Sequence, residues 1–364
     1  MINGERIAQV REAKRLTQSD LAKRVQRTQS AIAQLEAGLI DGSDGLIRQI
    51  ANETEFPIEF FESGSGPAFP FGSLLFRAHA DINRKDRLEA HGQARFVFQL
   101  MNMLLNQVRS IPVSLPKPMD TPEISARIAR RFFHLNANEP VGNLLSILEQ
   151  NGVFVLGIPD LKGRDAFSLW AGDDRTIPVV AIVEGRPGDR LRLTVAHELA
   201  HLIMHAQRES QPPLLEDEAN RFAAEFLMPE QAMKKEIIAP VTLTRIASLK
   251  PRWRVSIQAL IVRAKNLSII SERQYRYLYE QLAIQGWKTR EPDNLAVEPE
   301  KPRSLRQLAE ISYGNPIDFS KLAREAAMPE SLVWQIVSRY REKRSIEPDN
   351  VKLSRKVVSM RRKA

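Results

Sequence analysis

A chain of 364 residues with 43% hydrophobic and 27% charged content has the makeup of an ordinary globular protein of two or three domains, because single cores stop growing near about 250–300 residues. It contains no cysteine, which excludes a disulfide scaffold and any thiolate-bound metal and leaves His, Asp and Glu as the metal ligands to look for. The net charge of +9 is unevenly placed: residues 250–290 carry nine Lys/Arg against two acids and residues 341–364 nine against three, an excess that suits nucleic acid or simply a solvated surface.

The chain opens MINGERIAQVREAKR, with charges where a signal peptide needs an apolar stretch. No run approaches the roughly 18 apolar residues of a membrane span, so a cytoplasmic protein without membrane contact is expected. Residues 6–39, RIAQVREAKRLTQSDLAKRVQRTQSAIAQLEAGL, read as helix, helix, turn, helix. Thr17 can cap the second helix with Asp20 at the third position, and Thr28 can cap the third. In that third helix Ala31, Ile32 and Leu35 are expected to face inward, leaving Gln29, Ser30, Ala33 and Gln34 outward; Gln18 of the second helix is a further candidate for DNA contact. Such residues suit base-edge readout: a glutamine bidentate to adenine is worth about 1–3 kcal/mol of discrimination. Arg11, Lys14, Arg15, Lys23, Arg24 and Arg27 can neutralise phosphates around them. The block 1–62 is not basic as a whole, with eight Lys/Arg against ten acids; its positive charge is concentrated in residues 6–27.

This block resembles the Xre-like, phage-repressor type of helix-turn-helix, which runs LTQxxLAxxxGxxxxxIxxxExG. The departure is Gln26, where that pattern has its turn glycine. The resemblance implies double-stranded DNA as partner, and dimeric binding to a palindromic site as a possibility.

Two Pro-rich stretches, SGSGPAFPFG (63–72) and SIPVSLPKPMDTP (110–122), read as linkers. Between them residues 81–109 have a helical spacing of Phe96, Leu100, Met103 and Leu104, suiting either ordinary packing or a spacer or dimer arm. The unit 63–120 is therefore expected to be a linker with a long helix.

From 121 to 290 the pattern is that of an α+β domain. Helices are expected at 122–134 and 141–150, strands at 152–158, 166–171 and 178–183, and helices at 189–206, 214–227 and 230–238 and on to 286. Either Phe167–Trp170 or Pro178–Val183 could supply a sheet edge on which an extended peptide is held by backbone hydrogen bonds.

The run TVAHELAHLIMH (194–205) carries the central motif. Residues four apart lie on one helix face, so His197 and His201 can hold one zinc ion with both imidazoles. Glu198, about 100° round, can act as general base toward the water that attacks a peptide carbonyl. Val195, Leu199 and Leu202 form an apolar stripe for burial. His205 lies about 12 Å along the axis from His197 and is too far to share the metal. The next helix, LLEDEANRFAAEFL, offers other ligands. Its apolar face is Ala219, Phe222, Ala223 and Phe226; Asp217 should point to water, while Glu216, Glu218 and Glu225 flank that face and spacing does not choose among them.

HELAHLIMH followed by EDEANRFAAEFLMP resembles the ImmA/IrrE family of metallopeptidases, with looser similarity in AFSLW and WRVSIQALIVRAKNL (253–267) over residues 121–290. The resemblance implies a zincin-like domain with one Zn2+ per chain, whose third ligand is the glutamate directly before the Ala-Asn pair, here Glu218. It also implies a protein substrate that is itself a regulator, such as a repressor or antitoxin. No tyrosine precedes Tyr275, so no nearby motif supplies one to stabilise the oxyanion, which leaves that work to His205 or an arginine. The rival is a regulator that uses the peptidase fold only to sense a ligand or partner; Glu198 beside both histidines favours the enzyme, since a structural zinc site needs no base.

A third Pro-rich stretch, EPDNLAVEPEKPR (291–303), reads as a boundary. Residues 304–364 are expected to be helical, with a pair at 317–340 and the basic tail KLSRKVVSMRRKA. That pair suits a second helix-turn-helix or a helical cap.

Overall fold

The computed structural model describes residues 2–64, 84–108, 112–158, 166–171, 176–183, 185–205 and 212–339. Residues 65–72 of the first linker and the basic tail 352–364 therefore lie outside the described residues.

Five short helices begin the chain: α1 (Gly4–Ala13), α2 (Gln18–Arg24), α3 (Gln29–Glu36), α4 (Asp44–Thr54) and α5 (Ile58–Glu62). Thr17 caps α2 in a full capping box with Asp20, and the Thr28 side chain accepts from the Ala31 amide to start α3. Ile32 and Leu35 are buried as the spacing requires, whereas Ala31 is only half-buried. The α2–α3 turn closes although Gln26 replaces glycine: its φ of 52° lies in the left-handed region that glycine enters freely.

The long helix α6 (Arg84–Gln107) packs along its length. Its Phe96 stacks on Phe56 at 5.2 Å and tilts against Phe60 at 5.8 Å, tying it to the first five helices. Gly92 permits the close approach to α1, since a Cβ there would come 2.9 Å from the Gln9 carbonyl oxygen and 2.8 Å from the Ala13 nitrogen. At the other end Gln107 donates to the Tyr313 hydroxyl at 2.9 Å.

Then follow α7 (Pro122–Phe132) and α8 (Leu144–Gln150), and three strands: β1 (Phe154–Ile158), β2 (Ala166–Ala171) and β3 (Ile177–Val183). The sheet order is β1-β3-β2, with β3 parallel to β1 and antiparallel to β2. β3 is paired on both sides, so of the two candidate edges only Phe167–Trp170 lies on an edge strand. The sheet is a wall between two cores. Phe154, Leu156, Phe167, Leu169, Val179 and Ala181 face the core that contains α1–α6 and the C-terminal helices. Val155, Ala166, Val180 and Ile182, at alternate positions, face the core of the remaining helices. The strands are apolar apart from Ser168 of β2, as burial on both faces demands.

That second core is built by α7 and α8 with α9 (Gly188–Met204), α10 (Pro212–Leu227), α11 (Glu230–Glu236), α12 (Leu243–Trp253), α13 (Ile257–Asn266) and α14 (Glu272–Ile284). The Pro-rich stretch 291–303, regular only in a 3-10 turn at Asp293–Leu295, is tied down. Glu291 accepts from the Ile257 amide at 2.8 Å, the Val297 carbonyl accepts from the Gly188 amide at 3.0 Å, and buried Glu300 pairs with Arg192. A Cβ at Gly188 would lie 2.4 Å from the Val297 oxygen, so this approach requires glycine. Finally α15 (Ser304–Tyr313), α16 (Phe319–Ala326) and α17 (Glu330–Ser338) cover the first core. Among the described residues no helix is long and apolar enough to cross a membrane.

Candidate metal centre and nucleic-acid face

Helix α9 buries Val195, Leu199 and Leu202 together with Ala196 and Ala200, which leaves His197 and His201 half-buried on the face toward α10. Their Nε2 atoms stand 3.1 Å apart. Glu216 of α10 brings one carboxylate oxygen 3.1 Å from His197 Nε2 and the other 3.7 Å from His201 Nε2. Zinc bonds of about 2.0–2.1 Å at tetrahedral angles would hold ligand atoms roughly 3.3 Å apart, so these separations suit one ion.

The donor set makes the same point. His197 Nδ1 lies 3.0 Å from Asn220 Oδ1, which only accepts, so the ring proton sits on Nδ1 and Nε2 presents a lone pair. That lone pair faces a second imidazole nitrogen and two carboxylate oxygens. Burial opposes protonation of His197, but the Glu216 hydrogen bond, the Glu198 charge and the remaining Glu216 and Asn220 contributions outweigh it, and its pKa is raised above the ordinary histidine value. The cluster thus attracts positive charge at that point. Among the described residues it is the one His/Asp/Glu group close enough to hold a metal ion.

Glu216 and Asn220 are four apart on α10, so they share a face and reach the two nitrogens of one ring. Glu218, the sequence expectation for the third ligand, is two residues on, about 200° round the helix from Glu216. Its carboxylate meets His205 Nε2 at 3.0 Å instead, while His205 Nδ1 faces His201 Nδ1 at 2.9 Å. The structure therefore brings Glu216, not Glu218, to the two histidines. Both ring nitrogens of His205 are engaged, so it does not turn toward the cluster as an oxyanion donor. Glu225 is buried elsewhere, paired with Arg263 and 2.8 Å from Arg127. Asp217 is exposed, as its position off the apolar face requires.

Glu198 is buried, and its Oε2 accepts from the Ser168 hydroxyl at 2.6 Å. Ser168 sits opposite Val180 in the β2–β3 register, on the sheet face that α9 covers. Strand alternation marks that side, but only tertiary packing says that Glu198 lies above it.

On α3, Gln29, Ser30 and Gln34 are exposed and Ala33 is half-buried; Arg24 and Arg27 are exposed around them. Gln29 Nε2 donates to Gln18 Oε1 at 3.2 Å, Gln18 Nε2 donates to Glu36 at 2.9 Å, and Arg11 holds Glu36 at 2.6 Å. This chain of bonds steadies the Gln29 amide on an exposed face. Sequence reading named Gln18 and Gln29 as DNA contacts but found neither the bond between them nor its support in Glu36.

Residues 149–265 match the family model of the IrrE N-terminal-like domain of peptidase M78, and residues 4–57 match that of a helix-turn-helix domain. The chain joins a helix-turn-helix domain to a peptidase M78 domain. No curated protein matches it. The peptidase M78 match contains β1–β3 and α9–α13 apart from the last residue of α13, and so encloses His197, Glu198, His201, Glu216 and Ser168. The helix-turn-helix match contains every residue of the Gln29–Gln18–Glu36–Arg11 chain.

Proposed function

We propose that this is a DNA-binding regulator whose peptidase domain is a zinc-dependent endopeptidase, with His197, His201 and Glu216 as metal ligands and Glu198 as general base. The carrying observation is the convergence of two imidazole nitrogens and one carboxylate at 3.1–3.7 Å on a helix that also holds a buried glutamate. A divalent ion held there by His197, His201 and Glu216 would act as a Lewis acid and would lower the pKa of the attacking water. Glu198 takes the proton of the attacking water, and Ser168 orients its carboxylate by occupying one oxygen. Asn220 keeps His197 in the tautomer that leaves Nε2 as a ligand. The outer edge of β2, whose other side is paired to β3, holds the substrate backbone in extended form.

In this reading the substrate is a protein regulator of the repressor or antitoxin kind. The helix-turn-helix domain reads double-stranded DNA through Gln29, Ser30, Ala33 and Gln34, with Gln18 anchoring Gln29 and with Arg24 and Arg27 on phosphates. Two neutral imidazoles with one carboxylate suit zinc. The test is metal content after dialysis together with cleavage of repressors encoded beside the gene. Wild type should keep one zinc per chain and cleave, while Glu216→Ala should lose both. Zinc retained at the wild-type level by Glu216→Ala would remove the ligand assignment. Zinc bound without cleavage of any such repressor would leave a sensing regulator.

A further inference from the structure

We infer that Glu218 and His205 act as a positioning pair that fixes the tautomer of His201 and, through it, the affinity of the metal cluster. This rests on the reading of His197, His201 and Glu216 as that cluster.

A histidine that binds a metal through Nε2 must carry its proton on Nδ1, and a partner that accepts that proton holds the tautomer and the ring plane. His197 has such a partner in Asn220. His201 has a less obvious one, because its Nδ1 faces not an oxygen but His205 Nδ1, at 2.9 Å. An imidazole accepts there only while its own proton is on the other nitrogen. Glu218 supplies the reason for it to be there: its carboxylate, an acceptor only, lies 3.0 Å from His205 Nε2. The protons are then ordered in one direction. His205 Nε2–H donates to Glu218, His201 Nδ1–H donates to His205, and His201 Nε2 is left as a lone pair among the cluster atoms.

The local structure protects this order. His205 caps the end of α9, its amide donating to the His201 carbonyl at 3.1 Å, which sets the two rings 4.9 Å apart. The side chains of His205 and Glu218 are 4% and 14% exposed, so water competes poorly for either bond. Helix α10 thus serves both histidines through alternate residues, with Glu216 and Asn220 toward His197 and Glu218 toward the relay. Without the Glu218 acceptor, His205 is free to carry its proton on Nδ1. Two N–H groups would then face each other, and relief comes by moving the His201 proton to Nε2, where it blocks the ligand position.

The experiment measures zinc affinity of the full chain by competition with a chromophoric chelator. Glu218→Ala should keep one zinc per chain with affinity lowered about 10–100-fold. Glu218→Gln, which retains an accepting oxygen, should lose less. His205→Phe removes the acceptor of His201 and should lose at least as much as Glu218→Ala. The double variant Glu218→Ala with His205→Phe should be no weaker than His205→Phe alone, because Glu218 acts only through His205. Wild-type affinity in Glu218→Ala, additive losses in the double variant, or complete loss of zinc in Glu218→Ala would each overturn the inference, the last by making Glu218 itself a ligand. If the buried His205→Phe does not fold, the order wild type, Gln, Ala at position 218 decides alone. Glu216→Ala separates the two readings: its zinc must fall below detection whether or not the relay exists, so a normal Glu216→Ala sinks the cluster and a normal Glu218→Ala sinks only the relay.

Discussion

The outer face of α3 and the α9–α10 cleft are both rows of polar side chains on short stretches of helix, yet they are built in opposite ways. On α3 the residues Gln29, Ser30 and Gln34 are exposed, and the bonds that steady Gln29 come from Gln18 and Glu36, all within 19 residues of sequence from Gln18 to Glu36. In the cleft His197 and His201 are half-buried and Glu198 is buried, and they are met from other elements: by Asn220 and Glu216 of α10, themselves exposed, and by Ser168 of β2. A surface that must meet a large external partner can be organised locally, because the partner supplies the missing bonds. A site that gathers charge for one ion needs tertiary packing, because unpaired buried polar groups are costly.

The largest effect expected from this contrast is at Glu198. Glu198→Gln should keep the zinc of the wild-type chain while lowering cleavage about 10²–10⁴-fold, since an amide cannot accept the water's proton. Ser168→Ala should also keep zinc but cost only about tenfold in kcat/KM, the scale of one orienting hydrogen bond to a charged group. Metal content beside cleavage kinetics checks both. Near-wild-type hydrolysis by Glu198→Gln would end the mechanism, and an equal loss from both variants would make Ser168 more than a support.

The same contrast explains which parts were legible from residues alone. The elements of the α+β domain, the caps Thr17 and Thr28 and the pair His197 and His201 rest on periodicity and on contacts within one helix, where spacing is geometry. The glutamate that meets the pair does not. Periodicity left Glu216, Glu218 and Glu225 open, resemblance pointed to Glu218, and the rotation of α10 against α9 presents Glu216. One signal was available: Glu216 and Asn220 repeat on α10 the four-residue spacing of the histidines on α9, the pattern of two residues serving one target. Ser168 carried no such mark, because its role depends on α9 lying over β2. Likewise the Pro-rich composition of 291–303 marks a boundary but says nothing of Glu300 reaching Arg192 across the fold.

A smaller effect belongs to the DNA face. Gln29→Ala should relax preference at one base position by about 1–3 kcal/mol. Gln18→Ala leaves the reading amide in place but removes its anchor, so it should soften the same position by less. Arg24→Ala should weaken all sequences together and lower the salt slope by about one. Binding titrations of the full chain against a selected site and its single-base variants, at two salt concentrations, distinguish these patterns. A Gln18→Ala that shifts a different position from Gln29→Ala would show that the glutamines read independently and that the local chain of bonds does not organise this face.

The smallest expected effect tests how tightly the local unit is made. Gln26 holds a left-handed backbone at φ 52°, the turn position where the resembling pattern has glycine. For a residue with a Cβ this conformation costs about 1 kcal/mol or somewhat more. The Gln26 side chain is exposed, so replacing it sacrifices no burial, and the turn bond from the Arg27 amide to the Ala22 carbonyl, at 2.9 Å, is backbone only. Gln26→Gly removes the strain, but glycine also loses more freedom on folding, which offsets part of the gain. The net should be a stabilisation of about 0.5–1 kcal/mol, read as roughly two- to fivefold slower hydrogen exchange at the amides of α2 and α3 in the full chain. A β-branched residue fits this conformation worst, so Gln26→Val should move exchange the other way. The order glycine, glutamine, valine is the expected result, and the cleft should be indifferent to it, with zinc content unchanged across all three. Faster exchange in Gln26→Gly would mean that the glutamine side chain itself supports the turn.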